Sequence, residues 1–132
     1  MAHIFTPDDG TLKELFDEVV SEYTSLNHLA SPLIRIAFQW SDEEKVKDNK
    51  LVFADTEKIK PKLKSYLPYD FIITFYEPNL HDVTDEGKKR LMYHECLHIG
   101  FDGDSKFWLV PHDFEDFTEI VKKFGADWIH TD

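Results

Sequence analysis

The segment Tyr93-His94-Glu95-Cys96-Leu97-His98 constrains this chain more than any other. Residues four apart on an α-helix stand on one face, so the imidazoles of His94 and His98 can reach a common ion only if this stretch is helical. At ~100° per residue, Glu95 lies between them in angle and slightly to one side. A carboxylate there can touch a water on the ion without being forced into the coordination shell. The preceding residues support the helix: it is predicted over Thr84 to His98, with Thr84 as its N-cap.

Residue types and spacing together point to zinc. Zinc lowers the pKa of a bound water from 15.7 toward about 7, and a carboxylate such as Glu95 can accept that water's proton as it attacks a carbonyl. The same carboxylate can return the proton to a leaving amine. A catalytic zinc takes three protein ligands and keeps one open position. His112 is the first choice for the third ligand, because its neutral imidazole matches His94 and His98. Asp116 and Glu119 are alternatives, whereas Asp113 reads as the N-cap of a following helix or as an acceptor for a ligand imidazole. The bland reading, in which His94 and His98 are ordinary helix histidines, stays open at this point. Cys96 lies roughly 200° around the helix from His94 and reads as a small buried apolar residue. His3, His28, His81 and His130 have no partners at ligand spacing, and Tyr76, Tyr93 and His81 are candidates for stabilising an oxyanion.

The rest of the chain reads as one α+β domain over residues 1–132, with three helices packed on a short mixed sheet. Thr11 and Glu14 have capping-box spacing, and Leu12, Leu15, Phe16, Val19, Val20 and Tyr23 follow at helical intervals, predicting a helix from about 11 to 28. Ser31-Pro32 ends it. Ile34, Ile36, Phe38 and Trp40 alternate with polar residues, as in a strand with one buried face. Residues 41–50 read as a loop, 51–54 as a short strand, and 56–67 as a helix broken by Pro61. Phe71–Tyr76 is β-prone, Gly100 and Gly103 mark a tight connection, and Phe107–Val110 suits an edge strand. Phe114, Phe117, Ile120, Val121 and Phe124 outline the third helix, with Gly125 just past its end.

Charge and cysteine content narrow the partners. Net charge is −11, and residues 67–132 carry six Lys/Arg against fourteen Asp/Glu. Such a surface repels phosphate backbones and anionic lipid heads, so the expected partner is a protein or peptide, with no nucleic acid and no membrane. The one basic stretch, Lys58, Lys60, Lys62 and Lys64, reads as a solvated face. A lone cysteine, a non-basic start and the lack of any ~20-residue apolar run lead to a cytoplasmic expectation.

With these residues in view, the segment from about Leu51 to Trp128 resembles the putative phage metallopeptidase family, a compact zincin-like domain. The likeness rests on Asp70-Phe71-Ile72-Ile73, on Leu91 through Ile99, on His112-Asp113-Phe114-Glu115-Asp116-Phe117 and on Lys123 through Trp128. It implies one Zn2+ held by His94, His98 and His112, with Glu95 as catalytic base of a metallopeptidase. The domain is also similar, more distantly, to SprT-like proteases, which act near DNA. The acidic motif-bearing half argues against that role here. A second reading keeps the three histidines as a zinc site in a non-catalytic binding protein, such as a phage-encoded inhibitor of a host protein.

Overall fold

Residues 3–111 are described by a computed structural model. Its central strand, Phe71–Tyr76, is an apolar and aromatic run broken only by Thr74, and it is walled in on both faces. Phe71, Ile73 and Phe75 are fully buried on one side, while Thr74 and Tyr76 are buried on the other. Strands β1 (Phe5–Pro7) and β2 (Ile36–Ser41) lead to a hairpin of β3 (Val46–Lys47) and β4 (Lys50–Leu51), and then to β5 (Ala54–Lys58) and the central β6. The main sheet has the order β1-β2-β6-β5. β2 runs parallel to β6, and both outer strands run antiparallel to their neighbours, so the sheet is mixed.

Register divides the faces. Ile36, Phe38 and Trp40 pair with Phe71, Ile73 and Phe75 and share their face. Against that face pack α1 (Thr11–Glu22) and α2 (Asp85–Leu97). Phe16 meets Phe38 with ring centroids 5.2 Å apart, and Lys89 of α2 bonds Glu22 of α1 at 2.5 Å. The alternate residues include Gln39, Ser41 and Thr74, and there Gln39 donates to the Thr74 hydroxyl at 2.9 Å. Helices on one face of a mixed sheet make this an α+β fold. The predicted third helix and Gly125 lie outside the described residues.

α2 forms as its sequence predicts: Thr84 Oγ1 accepts from the Gly87 amide at 2.8 Å. Its second half is unusual, because Leu91, Met92, Tyr93, His94, Glu95 and Cys96 are all buried in succession. A helix covered on every side has no polar stripe. Directly after it, β7 (Ile99–Phe101) turns back through β8 (Phe107–Leu109), and the Asp102 carboxylate holds the turn by accepting from the amides of Asp104, Ser105 and Lys106.

Several expectations fail for identifiable reasons. α1 stops at Glu22: Tyr23 is extended and its ring stacks on that of Tyr93 with centroids 4.0 Å apart, and a 3₁₀ segment, Thr24–Ala30, replaces the last turns. The Thr11–Glu14 capping box is absent. Asp8 instead accepts from the Leu12 and Lys13 amides, both at 3.0 Å, while the Thr11 hydroxyl donates to Asp9. The strand predicted from Ile34 begins at Ile36, and β2 is half-covered on both faces because it lies inside the sheet. Residues 41–50 are not all loop. Asp48 and Asn49 both have positive φ, the backbone of a two-residue hairpin turn, and they close β3 on β4. The strand predicted over 51–54 is divided, Leu51 ending β4 and Ala54 opening β5, so residues 56–58 are extended and only Pro61–Leu63 forms a 3₁₀ turn.

Asp8→Ala removes two bonds at the start of α1 and should cost about 1–2 kcal/mol in a urea unfolding titration. Glu14→Ala, which removes any capping-box acceptor, should cost no comparable stability, which separates the observed cap from the capping box.

Candidate metal centre

Burial all round the end of α2 takes two polar side chains out of solvent. His94 and Glu95 are 9% and 3% exposed. With His98 they form a group whose potential ligand atoms all lie within 4.8 Å of one another. The two imidazole rings stand 5.3 Å apart between centroids, inclined at 61°. Their proximity is the i, i+4 geometry of the helix, since the second histidine is the residue that ends it.

Two elements brace this group from opposite sides. From β5, the Thr56 hydroxyl donates to Glu95 Oε1 at 2.8 Å and lies 3.2 Å from the Glu95 carbonyl. From the end of β8, Val110 meets His98 twice: its amide donates to the His98 carbonyl at 2.7 Å, and its carbonyl lies 2.8 Å from His98 Nδ1. A carbonyl only accepts, so Nδ1 carries the proton and the lone pair of His98 is on Nε2. That is the arrangement by which metal-ligating histidines are oriented. Two imidazole nitrogens and a carboxylate form a donor set suited to zinc and similar divalent ions. The residues present therefore fit a metal.

The group opens into a cavity of about 700 Å³ between β5, the β3–β4 hairpin and the segment Leu109–Pro111. Lys45 and Asp55 form its far wall, joined at 2.6 Å, and the Tyr76 hydroxyl also donates to Asp55 at 2.6 Å. The hydrogen bond to Asp55 holds the Lys45 ammonium above its ordinary range. Burial, and then the bond to Asp55, push the Tyr76 hydroxyl up to about 12, so it stays protonated. Asn79 ties the hairpin in place by donating to the carbonyls of Lys45 and Val52.

Of the residues singled out in the sequence, His94, Glu95 and His98 come together, and His112 lies outside the described residues, as do Asp113, Asp116, Glu119 and His130. Cys96 is fully buried, and burial raises its thiol well above the usual range. Tyr93 is taken into the core, stacked on Tyr23 with its hydroxyl 3.3 Å from Ser25. His81 lines a different groove beside Trp40 and Asp42. His3 lies 3.5 Å from Asp42, and His28 reaches the Ile99 carbonyl. Sequence reasoning missed Thr56, Lys45, Asp55 and the Val110 backbone.

Residues 5–131 match the putative phage metallopeptidase family, and the chain belongs to that family. The match reaches well into residues 1–50, beyond the segment that carries the resemblance by motif. No curated protein and no solved structure matches the chain.

Thr56→Val should destabilise the metal-free protein by about 1–3 kcal/mol, because it withdraws a donor from a buried carboxylate. Thr56→Ser should recover most of the loss in the same chemical denaturation.

Proposed function

We propose that this chain is a zinc-dependent peptidase that hydrolyses a peptide bond with Glu95 as general base. The observation that carries the reading is the convergence of His94, His98 and Glu95 at the mouth of a cavity, with His98 oriented through its Nδ1 proton. His112 is the proposed third ligand. What supports it is its place in the sequence, directly after Pro111, which lines the same cavity.

When bound at these imidazoles, zinc supplies a Lewis acid that acidifies water and polarises a carbonyl. The remaining chemistry belongs to the side chains. Thr56 fixes the Glu95 carboxylate through Oε1, so the group meets the attacking water in one orientation. Glu95 takes a proton from that water and hands it to the departing amine, and no covalent enzyme intermediate forms. β5 is an outer strand of the main sheet among the described residues, and Ala54, Asp55 and Thr56 line the cavity. An extended peptide can add to that edge, with its backbone held by main-chain hydrogen bonds. The acidic surface supports a protein or peptide partner over nucleic acid or membrane. No described helix is long and apolar enough to cross a membrane.

The alternative, a zinc-stabilised binding protein, makes the same metal prediction and diverges at Glu95. Elemental analysis should find one zinc per chain, lost in His94→Ala, His98→Ala and His112→Ala. Glu95→Gln should keep the zinc and lower peptide hydrolysis by roughly 10²–10⁴-fold, the usual contribution of a general acid–base group. Hydrolysis at the wild-type rate in Glu95→Gln would overturn the peptidase reading.

A further inference from the structure

The chain is strongly acidic, yet the cations nearest the metal group are concentrated along its cleft. Lys45 and Lys47 line the cavity that His94, Glu95 and His98 share. Lys58 ends β5, two residues past Thr56 and on the same side of the strand, about 7 Å further along. Lys60 and Lys62 continue outward as exposed residues.

These lysines differ in what holds them. The Lys45 ammonium has three protons and two acceptors, Asp55 at 2.6 Å and the Tyr76 hydroxyl at 3.2 Å. Its third proton has no acceptor among the described residues. The side chains of Lys47 and Lys58 make no hydrogen bond or ion pair among the described residues and are exposed. Of the acidic groups that line the cavity, Asp55 accepts from both Lys45 and Tyr76 and Glu95 accepts from Thr56, while Glu57 lies on the Asp55 side of β5, away from Lys58.

Resting on the peptidase reading, we propose that the cleft selects an acidic peptide, with substrate carboxylates placed by Lys45 and Lys47 at one end and by Lys58 at the other. The net charge of −11 does not oppose this. At physiological ionic strength a charge is screened over about 8 Å, so lysines in contact with the ligand outweigh carboxylates on distant faces. Lys45 contributes most, because its position is fixed by Asp55 and Tyr76 and no side-chain ordering is needed when a carboxylate arrives.

The test uses the zinc-loaded full chain carrying Glu95→Gln, so that bound peptide is not cleaved. Three pools of dansylated hexapeptides are titrated by fluorescence anisotropy: one rich in Asp and Glu, one neutral and one rich in Lys and Arg. Each pool is made with free and with amidated C-termini, which separates side-chain from terminal carboxylates. The acidic pool should bind at least about tenfold tighter than the basic one, and its advantage should shrink as salt rises. Lys47→Gln and Lys58→Gln should each weaken it by about threefold, and Lys45→Met by about tenfold. Lys45→Arg keeps the charge and guards against a folding defect in Lys45→Met. Equal binding of the three pools, no binding by any pool, or an acidic preference that survives both Lys47→Gln and Lys58→Gln would overturn the proposal. Because the readout is binding, it can fail while Glu95 remains essential for hydrolysis, and the reverse also holds.

Discussion

A buried carboxylate beside two imidazoles is the constraint around which the described structure is arranged. Desolvating such groups without partners costs several kcal/mol, and the helix that carries them cannot supply those partners, because its own amides and carbonyls are engaged in the helical ladder. For Glu95 and His98 they come from outside, through Thr56 and the Val110 backbone respectively. The requirement explains why α2 ends against the outer strand of the sheet, and why the chain turns back at once through a tight hairpin. A helix packed by aliphatic contacts alone could tolerate a loose end here.

The same arrangement separates the rigid part of the site from its recognition wall. Phe71, Ile73 and Phe75 anchor β6, and β5 is held to β6 along its whole length, so Thr56 inherits the stiffness of the core. Lys45 and Lys47 instead belong to the connection that crosses outside the sheet, where Asn79 is the main tether to two carbonyls. Under the proposed reading, Lys45 and Lys47 stand at or beside a short hairpin while Thr56 and Lys58 stand on β5, so the hairpin end of the cleft can vary while the strand beside Glu95 is kept.

Legibility in the sequence followed how local each cause was. α2 was readable to within a residue because Thr84 supplies a side-chain cap, and β6 because a six-residue apolar run between polar ends leaves little choice. The pairing of His94 with His98 needed only helical periodicity. The β3–β4 hairpin carried a local signal as well, Asp48-Asn49, whose tolerance of positive φ suits a two-residue turn, but charge in that stretch favoured a loop reading. The cap of α1 failed because Asp8, three residues ahead of Thr11, reaches the free amides first. Thr56, Lys45 and Val110 had no signal at all. Thr56 meets Glu95 across 39 residues, and the atom that orients His98 is a main-chain oxygen, which every residue possesses.

The double link between Val110 and His98 also fixes strand register. A slip of β8 by one residue would bring Leu109 or Pro111 to the histidine, and Pro111 has no amide proton with which to reach the His98 carbonyl. A slip toward Leu109 would turn every side chain of the strand to its opposite face. The proline acts as a stop on one side and the pleat as a stop on the other, so the ring that presents Nε2 is indexed by counting residues along a neighbouring strand.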